Sequence, residues 1–418
     1  MNIAHDSKIV PQTDLPSPET KETTALDEAA LAAYGAVLTV DLDAIVANWQ
    51  KLQKTAVPAE CAAVIKADAY GCGVGPVARA LWKAGCKTFF VADLHEARAA
   101  RAAVPQATLY TLGGYFRNTG EYYAEINCRP VIGDLHELAE WEAFCSGAEW
   151  SGGAAIHIDT GMNRLGLTLG DAQALTPRIK TGFHGITLVM SHLASAEQLN
   201  NPSNARQLAA FRGIASEFTG VPASLASSSG IFLGMPFRFD LVRPGAALYG
   251  INPTPEADNP MLPVVDLKAR IVQIRNAERS ETVGYGGTWT AHRPTRLAIV
   301  AAGYADGYFR AASSNDGTRG AEVVVAGQRC PIAGRISMDL MTIDITDLPP
   351  NAVRRGDMVT LLGEGITVDE LAHYCGTIGY EVLTSLGHRY ARIYKGGSTE
   401  ASPSETTPAE TKPVEPAP

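Results

Sequence analysis

The sequence has no CxxC pair, no long apolar run and no surplus of basic residues. Its seven cysteines stand singly at 61, 72, 86, 128, 145, 330 and 375. That odd, scattered set argues against a zinc cluster or a disulfide framework, so a reducing compartment, the cytoplasm, is expected. No apolar stretch approaches the ~20 residues of a membrane-spanning helix. The first 30 residues are polar, carry Pro11, Pro16 and Pro18, and lack the apolar segment of a secretory leader. Lysine and arginine total 35 against 44 aspartates and glutamates, a formal charge of -9. A broad nucleic-acid surface is therefore not expected.

What the chain does have is apolar content: 46% of 418 residues are hydrophobic and 19% charged. That supports a large core and is too long for one ordinary domain. The two ends contribute little to it. Residues 1–35 read as a polar extension, and 396–418, rich in Pro, Glu, Ser and Thr, as a disordered tail.

From 36 to 260, short β-rich runs alternate with helical patterns. Candidate strands are 62–66, 88–92, 107–112, 129–133, 154–159, 185–190, 224–229 and 246–250, with helical segments such as 94–103 and 135–144 between them. This alternation implies a parallel sheet, and about eight repeats predict a (β/α)8 barrel, with a doubly wound open sheet as the alternative. The pattern changes after Pro260. Runs such as "LKARIVQIRNAE", "TRLAIVAAGY" and "GDMVTLLG" read as strands separated by Gly, Pro and Asn/Asp turns. Residues 261–395 are expected to form a mainly β C-terminal domain.

Barrel enzymes place their chemistry at the carboxyl ends of the strands. Lys66, Asp159, His192, Ser228 and Arg243 all fall at such ends. In "AVIKADAYGCG" the lysine closes an apolar run just before a glycine-rich turn. A lysine amine partly withdrawn from water has a lowered pKa, and the neutral amine can attack a carbonyl. The same residue could equally snorkel at a strand end, and the glycines alone say only that the chain turns tightly.

"AVIKADAYGCG", "IDTGMNRLG", "SHLASAE", "LVRPGAALYG", "VGYGGTW", "GYADGY" and "GRISMD" occur in this order. Together they resemble the alanine racemases over roughly residues 36–395. The resemblance implies a pyridoxal 5′-phosphate barrel followed by a β domain, two chains forming a homodimer with shared sites, and an amino acid as substrate. Lys66 matches the lysine that holds the cofactor and acts as the base for the D-enantiomer. Tyr285 matches the base for the L-enantiomer, supplied by the other chain. Arg243 matches the arginine facing the pyridine nitrogen, and His192 the residue linking it towards the tyrosine. Tyr70, Ser228, Gly245, Ala246 and Tyr394 match the surroundings of the phosphate. Arg164 matches the arginine near the phenolic oxygen and the substrate, and Met338 a backbone contact to the substrate carboxylate. Tyr304 and Asp339 resemble residues of the substrate region. No metal is implied.

Three positions depart from that pattern. His157 stands where many members have a lysine, often carbamylated, that pins the arginine matched by Arg164. Ser227 replaces a common asparagine and Ser337 a common cysteine. The resemblance implies interconversion of L- and D-alanine, for cell-wall supply or catabolism. Alternatives are a racemase of broader or serine/basic specificity, a pyridoxal-phosphate homeostasis protein resembling the barrel alone, and a barrel-plus-β decarboxylase. The β domain with Tyr285 and Met338 argues against the homeostasis protein, and the motifs around Tyr285 and Arg243 argue against the decarboxylase.

Overall fold

The computed structural model describes residues 28–179 and 185–397. The expected N-terminal extension up to residue 27 and the expected tail from 398 lie outside the described residues. No described helix is long and apolar enough to cross a membrane.

Seven short parallel strands pair in chain order: Ala63–Val64, Thr88–Val91, Thr108–Thr111, Cys128–Ile132, Ala154–His157, Ile186–Met190 and Ala223–Ser224. Their apolar runs are continuous rather than alternating, because helices cover one face and the barrel core the other. In Thr88–Val91 and Ala154–His157 every residue is buried. Aspartates start several of the intervening helices. Asp41, Asp93 and Asp134 each accept a backbone N–H of the first turn.

The ring closes through a two-residue strand, Leu241–Val242, which pairs in parallel with Glu60–Cys61. On its other side, the Asp240 N–H donates to Ala223 O and the Arg243 N–H to Ala226 O. The architecture is therefore the expected (β/α)8 barrel, with one strand misplaced in the sequence reading. Residues 246–250 are not the eighth strand; Ala246–Tyr249 is a 3-10 turn, ended by Gly250 in the left-handed region. Its apolar residues are buried because the turn plugs the barrel end, where the Tyr249 hydroxyl donates to Val64 O.

The mainly β second domain is also as expected. Its backbone is the 13-residue strand Val265–Ala277. One half of this strand pairs with Ala36–Asp41 and Met358–Leu362, and the other with Thr295–Val300. Ala36–Asp41, read in the sequence as the start of the barrel region, thus lies in the sheet of the second domain. It also pairs in parallel with Ala391–Lys395 at the other end of the described chain. The strand alternates buried and half-buried residues, the mark of a sheet covered on one face. Helices Val368–Cys375 and Gly379–Ser385 precede the last strand, and the second of these packs against the turn after Lys66.

Leu38 and Val40 are fully buried in that first strand. Leu38→Ala is expected to cost ~2–5 kcal/mol, read as a lowered urea midpoint. A loss below ~0.5 kcal/mol, the range of a neutral surface change, would show that the strand is dispensable to the sheet.

Candidate active site

A cavity of about 790 Å3 opens where the barrel strands end. Lys66, Tyr70, His157, Arg164, His192, Ser228, Arg243, Gly245 and Ala246 all line it. Nine residues singled out from sequence, spread over 180 positions of chain, thus meet on one wall system.

Lys66 leaves its strand directly into an unusual turn. Ala67, Asp68, Ala69 and Tyr70 have φ of 53°, 51°, 53° and 55°. The left-handed region costs a residue with a side chain ~1–2 kcal/mol, so four in succession require external support. The Glu96 carboxylate accepts the Ala67 N–H at 2.6 Å, and Asp68 Oδ1 accepts the Val74 N–H at 2.7 Å. Gly73 completes the turn; a Cβ there would lie 2.1 Å from the Tyr394 hydroxyl. This glycine is therefore needed for close packing of the second domain. Withdrawal from water and the Arg164 charge pull the Lys66 amine below its ordinary pKa, with Glu96 opposing them.

At one end of the cavity, Ser228 Oγ accepts the N–H groups of Gly245 and Ala247 at 3.0 and 3.1 Å. A Cβ on Gly245 would lie 2.4 Å from Tyr70 Oη, so only glycine lets that hydroxyl reach the floor. Tyr70 is held in place by stacking on Tyr249, with ring centroids 4.5 Å apart.

Arg243 is the buried charge of the site. Its guanidinium donates to Ser224 Oγ and, at 2.7 Å, to Ser191 O. Burial draws its pKa down to about 9, which leaves it cationic at neutral pH. Burial and then the charges of Arg243 and Arg164 push His157 down to about 4, and the same causes push His192 down to about 3. Both imidazoles are neutral at neutral pH. Asp159 instead organises the loop that carries Arg164, accepting the N–H groups of Gly161, Met162 and Asn163 at 2.8–2.9 Å. Among the described residues, no hydrogen bond holds the Arg164 guanidinium, from His157 or elsewhere.

Five other predicted residues stand outside this cavity. Tyr394 lies behind Gly73 with its hydroxyl against the turn. Tyr380, not singled out from sequence, is the late tyrosine that lines the cavity, 6.2 Å from Tyr70 between ring centroids. Its neighbours Ile378, Glu381 and Thr384 join it from the second domain. Their seven-residue helix is too short for its periodicity to have flagged a cavity-facing side. Tyr285, Tyr304 and Met338 are exposed on the second domain at 72%, 42% and 53%. The Tyr304 N–H donates to Ser337 O and the Ala305 N–H to Met338 O, at 3.1 and 2.9 Å, which joins two of those loops. Asp339 pairs with Arg389 at 2.8 Å.

A closed parallel barrel whose strand ends converge on a lysine, a buried arginine and a hydroxyl-lined floor, carrying a β domain at its mouth, defines an enzyme of small polar molecules. Two family models divide the chain between them: "Alanine racemase, N-terminal domain" matches 40–253 and "Alanine racemase, C-terminal domain" matches 264–394. The alanine racemase of Methylobacterium nodulans is 51% identical over 370 residues, 88% of this chain and 99% of that protein. The catabolic alanine racemase of Mesorhizobium japonicum is 43% identical over 92% of this chain and all of its own length. The crystal structure of alanine racemase from Bartonella henselae with covalently bound pyridoxal phosphate has a TM-score of 0.81 at 39% identity, covering 86% of this chain and 99% of that one. The chain belongs to the alanine racemase family, enzymes that isomerise an amino acid.

The neutral histidines set a pH dependence. Between pH ~6.5 and about 4 the unfolded chain binds protons at positions 157 and 192 that the folded chain refuses, so stability falls as pH falls through this window. Unfolding midpoints measured at steps of pH are expected to decline less steeply there in His157→Gln. A His157 ring signal titrating near its ordinary value in NMR would overturn this.

Proposed function

We propose that the chain interconverts L- and D-alanine with pyridoxal 5′-phosphate, as a homodimer whose two sites are each completed by the other copy, and that it works in the cytoplasm. The observation that carries the reading is the set of groups around the cavity: a lysine amine with a lowered pKa, a buried cation on the same cavity wall, and a hydroxyl and N–H floor. These donors suit the cofactor. Tyr70, Ser228 and the backbone of Gly245 and Ala246 would hold its phosphate, which hydroxyls and N–H groups can do without many cations. Tyr380 is better placed than Tyr394 to join them.

When bound, pyridoxal phosphate supplies the electron withdrawal that makes an α-proton removable. The residues do the rest. Arg243, still cationic at neutral pH, would donate to a ring nitrogen of the bound cofactor and leave that nitrogen unprotonated. Neutral His192 and His157 add no competing charge beside it. The Lys66 amine, deprotonated more readily than an ordinary lysine, takes or returns a proton on one face of the substrate. The opposite face needs a second proton carrier, and Tyr285 is assigned that role. Its exposure beyond its own cavity, with Tyr304 and Met338, supports delivery from a second copy. Arg164 and the Met338 backbone would orient the substrate carboxylate, with Tyr304 and Asp339 around them. The product would serve either cell-wall assembly or alanine breakdown; relatives carry both roles in their names, biosynthetic in Agrobacterium fabrum and catabolic in Mesorhizobium japonicum.

A chiral assay over a panel of L-amino acids, with the cofactor added, tests the reaction. D-alanine forming fastest supports it; no D-product from any substrate overturns it. Lys66→Ala and Tyr285→Phe are each expected to lose at least ~100-fold in kcat, the scale of removing a positioned acid or base. Mixing the two variants should restore activity to about one site in each mixed dimer. No recovery after demonstrated exchange of chains would exclude a shared site.

A further inference from the structure

Two strand-to-helix turns of the barrel, after Thr88–Val91 and after Cys128–Ile132, repeat the tetrapeptide Asp-Leu-His-Glu, at 93–96 and 134–137. The glutamate does the same thing in both. Glu96 accepts the Ala92 N–H at 2.7 Å, and Glu137 accepts the Gly133 N–H at 3.0 Å, each four residues back. Each then reaches to the end of the preceding strand. Glu137 accepts a backbone N–H of Tyr115, and Glu96 accepts that of Ala67 at 2.6 Å. Each carboxylate thus ties two adjacent strand ends together. Only the first clamp ends beside a lysine, at the first of the four left-handed residues.

We propose that Glu96 is a positioning residue for Lys66: by holding the Ala67 and Ala92 N–H groups on one carboxylate, it fixes the lysine's turn to the neighbouring strand and so fixes the amine in the cavity. The proposal rests on the cofactor reading above for part of its test. A carboxylate with two N–H bonds is a strong, directional tie. It is suited to a turn whose backbone energy disfavours its own conformation. A glutamine could keep one of the two bonds through its oxygen, but would present N–H to N–H at the other. Aspartate keeps the charge but is one methylene too short to span both groups.

Glu137 supplies the control, the same clamp without the lysine. Full-length wild type, Glu96→Gln, Glu96→Asp and Glu137→Gln would be compared. Amide exchange at Ala67, which needs no cofactor, should quicken in both Glu96 variants and not in Glu137→Gln. Unchanged exchange in the Glu96 variants overturns the proposal. Pyridoxal phosphate would then be added at graded concentrations and pH, fixed by borohydride, and located on the Lys66 peptide by mass spectrometry. Arg164, His157, His192, Arg243, Tyr380 and Glu381 share the cavity with Lys66 and are the same in all four proteins. Glu96→Gln should need at least ~10-fold more cofactor, the equivalent of one charged hydrogen bond. Its capture profile should move to lower pH, because the carboxylate that favours the charged amine is gone. Glu96→Asp should weaken capture and keep the wild-type pH midpoint; should Glu96→Gln fail to fold, Glu96→Asp carries the test. Capture by Glu96→Gln at wild-type concentration and midpoint, or an equal change in Glu137→Gln, overturns the positioning role. Wild-type protein fixed at no Lys66 overturns the cofactor reading instead, and leaves the exchange result to judge the clamp.

Discussion

The site is organised around one unavoidable charge. Arg243 is 3% exposed, and a guanidinium taken out of water is tolerated only when its N–H groups find acceptors. Ser224 Oγ and Ser191 O provide two of them from neighbouring strand ends. The remaining polar capacity faces the cavity. Burial, and then repulsion by Arg243 and Arg164, keeps both imidazoles without their extra protons. Lys66 is lowered by withdrawal from water and by Arg164, with Glu96 opposing them. A cavity held in this electrostatic state favours an anionic ligand and disfavours protonating any ring nitrogen that meets Arg243.

The second constraint is mechanical. The β domain is built from both ends of the described chain, since Ala36–Asp41 pairs with Ala391–Lys395 and Val265–Ala277. The barrel is an insertion between them, and it is gripped at its mouth. The helix Gly379–Ser385 and Tyr394 pack against the turn that follows Lys66. A left-handed turn that is unfavourable alone is therefore over-determined from two sides, by Glu96 from the barrel and by the second domain. Such strain is kept where surrounding structure fixes it, and here it fixes the lysine of the cavity, Lys66.

Much of this was legible in the sequence, and the failures have physical causes. The first seven strands could be read because parallel strands buried on both faces are plain apolar runs. The eighth, Leu241–Val242, could not, because the richer apolar run just after it, Ala246–Tyr249, reads as a strand and is a buried turn. Ala36–Asp41 could be placed only at the start of the barrel region, since its pairing with a strand more than 200 residues away leaves no local trace. Lys66 and Ser228 stood out by their places at the ends of candidate strands, and Arg243 by its place just before the run 246–250. Tyr394 and Tyr380 both precede or lie in the last strand region, and only the docking of a short helix separates the one facing the cavity from the one behind it. Glu96 looked like an ordinary acidic residue in a first helical turn, a position where any carboxylate is favourable. Its reach to Ala67 depends on two strand ends being neighbours in the ring.

The exposed residues of the β domain give the division of labour its shape. An aromatic ring left 72% exposed on a glycine-flanked turn gains nothing for the folding of its own domain. Yet Tyr285 is not on a loose loop. Arg335 reaches its carbonyl at 3.4 Å, and the neighbouring loops of Tyr304 and Met338 are bonded to each other. Arg389 further ties Asp339 to the buried Asp306, at 2.8 and 3.2 Å. Loops whose backbone is already tied down have less conformational freedom for binding to remove, so a surface docking on them meets a smaller entropic cost. In the proposed dimer that surface is the barrel mouth of the second copy. The barrel then supplies the fixed charges and one proton carrier, the partner's β domain supplies the other, and neither is complete alone. This arrangement lets two proton carriers approach one carbon from opposite sides without either having to cross the site.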